Sequence, residues 1–399
     1  MIISILGTAG AVFDRDSCSA KRDDSGEIIE RVAQYDASIF QKKRKSYKNS
    51  THFLLENFDK KFVFIGTKCA IDFQKEILSE EIKDKDIEYR EIKDNDLDDI
   101  FEVIYALLED KDDVLLDITH GFRHQPIMAI FASTLSQFLE RKKLKIIFAK
   151  EVEQYKTYQY IYLDEYIEIT HISLLLTGFI RTLNFIPTKS MKFLKHKVFE
   201  NFSTSLLSND LVGVEKNYKE LMKELDLLLK NQELKHLFNL FEQVKEELLP
   251  LEGFDTLKSY EKYLALAKLT IEKNYLIVSL AYIFESFREY CSLRFKGVSK
   301  SIKFRNSYDI NTSVMDTIGN FRRAGKMNKL QKKYPNIYKD NKSNFKRVSI
   351  IYAKVQSLRN DLAHINKIKD FKDIKLMLHQ IIFMIEQFYK DDVLKDIKV

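Results

Sequence analysis

An α/β N-terminal half built on a parallel sheet, followed by an all-α helical half, is the fold class that this sequence of 399 residues predicts. Three observations carry it. Apolar runs suited to buried strands alternate with helically spaced segments through the first 165 residues. From about Thr170 onward the strand signal ends, and apolar residues recur at three- and four-residue spacing. Gly and Pro together number only 15, too few turn formers for many short hairpins, which excludes an all-β chain. With 45% hydrophobic and 31% charged residues the chain is neither collagen-like nor disordered, and its length suggests two or three domains.

Taken in order, Ile2–Leu6, Phe62–Ile65, Val114–Ile118 and Lys145–Ala149 are near-continuous apolar runs, the pattern of strands covered on both faces; Ile87–Ile92 is a more polar one. Between them Ile71–Ile82, Leu97–Leu108 and Pro126–Glu140 carry helical spacing, so strand and helix combine into βαβ units of a Rossmann-like domain. Lys156–Ile167 alternates Tyr and Ile with polar residues and reads as a final hairpin or edge strand. Helices follow at His171–Leu183, Tyr218–Leu229, Glu233–Leu248, Tyr260–Phe295, Asn344–Ile365 and Asp370–Tyr389. Pro187 and the stretch Pro250–Gly253 interrupt them, so the boundaries are drawn at 1–170, 171–255 and 256–399.

The net charge of +6 hides an uneven distribution. Asp72–Asp113 holds 17 acidic residues against 6 basic, the mark of solvated helix faces. Phe321–Arg347 holds 10 basic residues against one acid and includes Tyr334, Tyr338 and Phe345; cations neutralise phosphates and aromatic faces stack on unpaired bases, so this segment is expected to contact nucleic acid. The three cysteines, Cys18, Cys69 and Cys291, are odd in number and widely spaced. Free thiols in a reducing cytoplasm are expected, with no disulfide framework and no four-thiolate zinc site. No apolar run is long enough for a membrane span, and the N-terminus opens as a strand rather than a secretory signal.

In an open parallel sheet, ligands bind beyond the carboxyl ends of the strands. After the first strand stand Gly7, Thr8 and Gly10; after the second, Gly66, Thr67 and Lys68; after Val114–Ile118 comes Thr119-His120-Gly121-Phe122-Arg123-His124-Gln125-Pro126. Gly121 permits a tight turn, Thr119 offers a hydroxyl, Arg123 offers a planar cation for phosphate, and Pro126 sits near a helix start. One Gly-Thr pair is ordinary turn chemistry. Its recurrence at matching strand ends beside THGFR describes a pocket for a phosphorylated, nucleotide-like ligand. The glycine spacing is neither that of a dinucleotide fold nor that of a P-loop, and His120 with His124 lack the further ligands of a zinc site.

Near the C-terminus, Arg359, Asn360 and His364 lie in a helix bounded by Ile350, Ile351, Val355, Leu358 and Leu362. Arg and His five residues apart are about 140° apart around one helix, so they converge poorly alone, whereas two such helices across a two-fold axis repeat the patch around one cleft. There an imidazole can take the proton of an RNA 2′-hydroxyl or protonate the leaving 5′-oxygen, while guanidinium holds the phosphate. Such chemistry needs no metal and leaves a 2′,3′-cyclic phosphate and a 5′-hydroxyl.

The stretch LLDITHGFRHQP after Gly-Thr loops resembles the CARF domains of CRISPR-associated proteins, and R-N-D-L-A-H resembles the R-[NHD]-x-x-x-H signature of HEPN ribonucleases. The resemblance covers roughly residues 1–170 and 270–390. It implies a homodimeric, possibly further assembled, cytoplasmic endoribonuclease of type III CRISPR defence, with cyclic oligoadenylate as allosteric activator, the four-membered ring favoured over the six-membered one, and no other cofactor. Thr8, Thr67, Thr119, His120, Gly121 and Arg123 would lie by the ring, and Arg359, Asn360 and His364 would be catalytic on single-stranded RNA. The helices of 171–255 would link and dimerise. The charge of the basic segment, rather than the resemblance, makes Arg322, Arg323, Lys332 and Lys333 the expected contacts to substrate RNA. A non-catalytic cyclic-nucleotide-sensing transcription regulator and a stand-alone HEPN toxin are the alternatives.

Overall fold

The computed structural model describes residues 1–93, 96–109, 113–139, 143–187, 191–294, 335–363 and 370–395. The chain divides into two compact units, Met1–Ile172 with Thr188–Phe193, and Ser173–Pro187 with Leu194–Val399.

The first unit contains β1 (Ile2–Ile5), the short strands β2 (Phe13–Asp14) and β3 (Ser19–Ala20), β4 (Ala33–Asp36), β5 (Lys45–Tyr47), α1 (Ser50–Asn57), β6 (Phe62–Gly66), α2 (Lys68–Ile77), β7 (Ile87–Glu91), α3 (Leu97–Glu109), β8 (Asp113–Asp117), α4 (His124–Leu139), β9 (Lys143–Glu153) and β10 (Thr157–Tyr162). Its main sheet has eight strands in the order β5-β4-β10-β9-β8-β1-β6-β7, while β2 and β3 form a separate hairpin. Strands β7, β6, β1, β8 and β9 run parallel, as helical crossovers require. Side chains alternate between the two faces. Ile2, Phe62 and Phe64 pack with Phe53, Leu54, Ile71 and Phe73 from α1 and α2. Ile3, Ile5, Val63 and Ile65 pack on the other face with Ile100, Ile104, Ala129 and Ala132 from α3 and α4. Covering both faces is what makes β1 and β6 continuously apolar.

Three expectations change here. Thr157–Tyr162 does form a hairpin with β9, but β4 pairs with it in parallel on its other side, so it is an interior strand rather than an edge. The residues from Asp164 begin a helix, α5 (Asp164–Thr182), instead of prolonging that strand. Cys18 and Cys69 are not free thiols but a disulfide, because docking of the β2–β3 hairpin on α2 brings together residues 51 positions apart; Cys291 alone is free, and buried.

The second unit is helical, with α6 (His196–Leu207), α7 (Leu211–Leu228), α8 (Phe238–Leu248), α9 (Ser259–Glu272), α10 (Leu276–Arg294), the short α11 (Pro335–Asp340), α12 (Lys342–Ala363) and α13 (Phe371–Lys390). The expected single segment Tyr260–Phe295 is two helices, α9 and α10, separated where Asn274 adopts a left-handed φ of 65°. Helix α10 packs on α9, α12 and α13 around Tyr260, Tyr290, Phe388 and Tyr389, and the Ser286 and Tyr389 hydroxyls meet at 2.8 Å. Among the described residues no helix is long and apolar enough to cross a membrane.

Candidate functional site: a cavity at the strand ends

Strand β1 lies between β6 and β8; after β1 the chain builds the β2–β3 hairpin and strands β4 and β5 at the far edge, then crosses to β6 and β7 on one side of β1 before returning to build β8 and β9 on the other. This is a topological switch point, where the loops after adjacent strands diverge and open a crevice. A cavity of about 640 Å³ occupies it. Gly7 and Thr8 after β1, Thr67 after β6, and Thr119, His120, Gly121 and Phe122 after β8 line it together. Gly121 has a φ of 99°, and a Cβ there would stand 2.6 Å from Ile5 Cγ2, so the turn tolerates no side chain.

A buried hydrogen-bond net beneath the cavity holds these loops. Asp117, the last residue of β8, is inaccessible to solvent and accepts from the hydroxyls of Ser4 at 2.9 Å and Ser50 at 2.8 Å. Its other oxygen accepts from the backbone N–H of Thr119 at 3.1 Å and from the Thr119 hydroxyl. The Thr119 hydroxyl accepts in turn from the Ala149 N–H at 2.9 Å, so its proton is committed and only a remaining lone pair can serve a ligand. His120 Nε2 accepts from the Ser50 N–H at 3.1 Å, which puts the ring proton on Nδ1. Burial holds the His120 imidazole below its ordinary protonation range, although the Asp117 charge pulls the other way. Gln74 donates to the carbonyls of Gly7 at 2.6 Å and Ala9 at 3.0 Å, fixing the loop after β1.

Of the other sequence-derived ligand residues, Gly10 packs behind the cavity against Asn49 and Ile77, and Gly66 ends β6 against Leu6. Lys68 is exposed in the first turn of α2, and Arg123 is exposed in the turn before α4; none of these four lines the cavity. Residues that sequence reasoning passed over do line it: Leu6, Ala9, Phe13, Arg15, Cys69, Ala70 and Gln125. Phe13 and Arg15 arrive on the β2–β3 hairpin, for which the spacing of ordinary residues gives no signal. Gln125 is nearly inaccessible, its Oε1 accepts from the Phe122 N–H at 3.0 Å, and its buried Nε2 has no partner. Thr67 caps α2, and the free N–H groups of that helix open toward the same space. Half-exposed Phe122, its ring parallel to that of His124 at 6.0 Å, offers an aromatic face. Hydrogen-bond donors, a cation and aromatic surface around one crevice suit a nucleotide-like anion.

In the second unit Arg359 and Asn360 are exposed on α12. The Arg359 guanidinium lies 6.0 Å from the Phe284 ring centroid, on a cavity of about 370 Å³ shared with Ile277, Glu285, Val355 and Leu362. His364 lies outside the described residues, as do Arg322, Arg323, Lys332, Lys333 and Tyr334. Phe345, expected to stack on bases, is instead buried in the helical core at 1% exposure. Arg347 is paired with Asp391 at 2.7 Å, and this end of the basic segment lies in the first turns of α12, close to the expected helix start at Asn344.

A search of curated proteins returned no match. Residues 11–160 match the family model described as "CRISPR system endoribonuclease Csx1, CARF domain". That stretch contains β6 to β9 and the Thr67 and Thr119–Phe122 loops of the cavity, and it ends within β10. The N-terminal unit, with its switch-point crevice between β1, β6 and β8, therefore carries a CARF domain, similar over residues 11–160 to that of the Csx1 proteins.

Proposed function

We propose that this chain is a ligand-activated endoribonuclease of type III CRISPR defence. Cyclic oligoadenylate enters the strand-end cavity of the CARF domain, and the helical unit, acting as a HEPN domain, cuts single-stranded RNA. The observation that carries the reading is the cavity itself: it sits within a CARF domain and brings the N-terminus of α2, the Phe122 ring and Arg15 to one space. A ring of nucleotides with two-fold symmetry suits a site repeated in a homodimer, each protomer contributing the same loops. Ligand activates because it binds one dimer arrangement better than the other.

The chemistry assigned to the helical unit follows from its groups. Arg359, exposed on α12, holds the scissile phosphate and neutralises charge that builds on its oxygens. His364, five positions on in sequence, moves the proton of the 2′-hydroxyl or of the leaving 5′-oxygen, and Asn360 orients the phosphate beside it. Two copies of α12 across the dimer axis supply both Arg and His to one cleft.

The test is labelled single-stranded RNA incubated with the protein and each cyclic oligoadenylate, with and without EDTA. Cleavage is expected only with a matching ring, unaffected by EDTA, and leaving 2′,3′-cyclic phosphate ends. Arg359→Ala and His364→Ala are each expected to lower the rate at least ~100-fold while ring affinity stays at the parent's. Cleavage retained by His364→Ala ends the assignment of the catalytic pair. Ring binding without cleavage would identify a sensor, and cleavage without ring binding a stand-alone ribonuclease.

A further inference from the structure

The β2–β3 hairpin is not part of the main sheet, yet it reaches the cavity with two of its residues, Phe13 and Arg15. Its base is held on α2 without any covalent bond. The Phe13 ring meets Phe73 edge-on at 5.2 Å, and Glu76 accepts from the Ala20 N–H at 2.8 Å and from Arg22 at 2.8 Å. Its tip is held differently: Cys18 is bonded to Cys69, itself a cavity-lining residue in the first turn of α2. Cys18 adopts a left-handed φ of 52°, a conformation a non-glycine residue leaves readily when nothing holds it there. Arg15, in the same tip, is exposed, and among the described residues no carboxylate pairs with it.

We propose that the hairpin is a ligand-contacting wall of the cavity whose tip is set by the Cys18–Cys69 disulfide: Arg15 contacts a phosphate of the bound cyclic oligonucleotide, and opening the disulfide weakens that contact. The proposal rests on the reading of the cavity as a cyclic oligoadenylate site and adds to it a residue and a redox dependence. Two features point to a ligand at this place, the unpaired cation on the tip and the disulfide-tethered placement of that tip, with Cys69 itself on the cavity wall. Both cysteines are partly accessible, so a small thiol can reach the bond. Cys69 departs facing the positive end of α2, which favours its thiolate as leaving group. In the exchange a dithiol reductant attacks, passes through a mixed disulfide and closes its own ring; it gives up two electrons and two protons, and Cys18 and Cys69 each take one of each as they become thiols. With the tip untethered, Arg15 samples positions away from the cavity and the ordering entropy of holding it falls on ligand binding.

The experiment is calorimetric titration of the full chain with cyclic tetra-adenylate and cyclic hexa-adenylate, in five states: parent, parent with dithiothreitol, Cys18→Ser/Cys69→Ser, Arg15→Ala, and the triple variant. Alkylation and mass spectrometry report the thiol state of each. Arg15→Ala is expected to weaken binding of the preferred ring about 10- to 100-fold, the loss of one charge-assisted hydrogen bond. Reduction and the double serine variant are expected to weaken it in the same direction, reversibly for the parent on reoxidation with oxidised glutathione. In the triple variant the cysteine effect should vanish, since it acts through Arg15. The proposal is overturned if the oxidised and reduced parent bind with one affinity, if Arg15→Ala binds like the parent, or if Cys18 and Cys69 of the oxidised parent alkylate as free thiols. A parent that binds neither ring overturns the ligand reading, and the proposal with it; a parent that binds while every variant matches it overturns the hairpin alone. Should the serine variant fail to fold, the reduction and reoxidation cycle decides the redox part.

Discussion

Asp117 accepts from Ser4, from Ser50 and from both the N–H and hydroxyl of Thr119, all within a fully buried environment. Removing it strands several buried donors at once, and each unsatisfied group costs about 1–3 kcal/mol. Asp117→Ala is therefore expected to lower stability by about 3 kcal/mol or more in urea unfolding, and Asp117→Asn by less because the amide oxygen still accepts. A loss under about 1 kcal/mol for the alanine variant would show that the net does not hold the loop. His120 gives a pH signature. Its folded state binds a proton less readily than the ordinary value of 6.5, because burial disfavours the imidazolium. As pH falls below 6.5 the unfolded chain takes up that proton first, so stability is lost from there downward through the folded value. The parent should lose stability faster than His120→Gln between pH about 7 and about 5, by up to about 1.4 kcal/mol per pH unit. His52 is likewise depressed by burial and acts in both proteins, so the difference between them isolates His120. Identical slopes would remove His120 from the acid-sensitive groups.

At the scale of elements, α2 joins fold to site. Thr67 ends the loop after β6, and its hydroxyl accepts from the Ala70 N–H at 3.3 Å, leaving the first N–H groups of the helix open to the cavity. Thr67→Ala is expected to cost about 1 kcal/mol of stability, and Thr67→Ser to restore it; a chemical-denaturation series in which alanine and serine are equivalent would deny the cap. The strands that frame this site were legible because burial on both faces leaves β1, β6 and the core of β9 apolar along their length. Strands β4 (AQYD) and β5 (KSY) were not, since they are short and half polar and are held by backbone pairing to β10 and to each other. The same docking of distant segments hid the disulfide, because spacing along the chain says nothing of where a hairpin will lie. The break between α9 and α10 was hidden for a different reason: Asn274 turns the chain where Gly or Pro would have announced it. Gly7, Thr8, Thr67, Thr119 and Gly121 were readable as residues of the strand-end turns that line the cavity, whereas Arg15 and Gln125 are ordinary residues that only the fold brings there.

For the whole molecule the governing quantity is where charge of each sign resides. Acidic Asp72–Asp113 belongs to the first unit and basic Phe321–Arg347 to the helical one, so the segment we assign to RNA binding lies in the same unit as the residues we assign to cutting it. Not all of the basic balance of +9 is available, because Arg347 is paired with Asp391, and the aromatic face of Phe345 is buried in the core. Arg347 and Arg359 share α12, and at 1.5 Å per residue they stand about 18 Å apart along its axis, a span of only a few nucleotides. Arg322, Arg323, Lys332 and Lys333 are the contacts we assign, and each phosphate neutralised releases counterions, so affinity for single-stranded RNA falls with log salt at about −0.7 per contact. Replacing the four by Ser is expected to flatten that slope by up to about 3 units and raise KM for RNA, with ring binding equal to the parent's. The measurement is made on a His364→Ala background, which prevents cleavage during titration. A slope equal to that of the parent would take the segment out of substrate binding and leave Arg359 and its neighbours on α12 as the means of holding RNA.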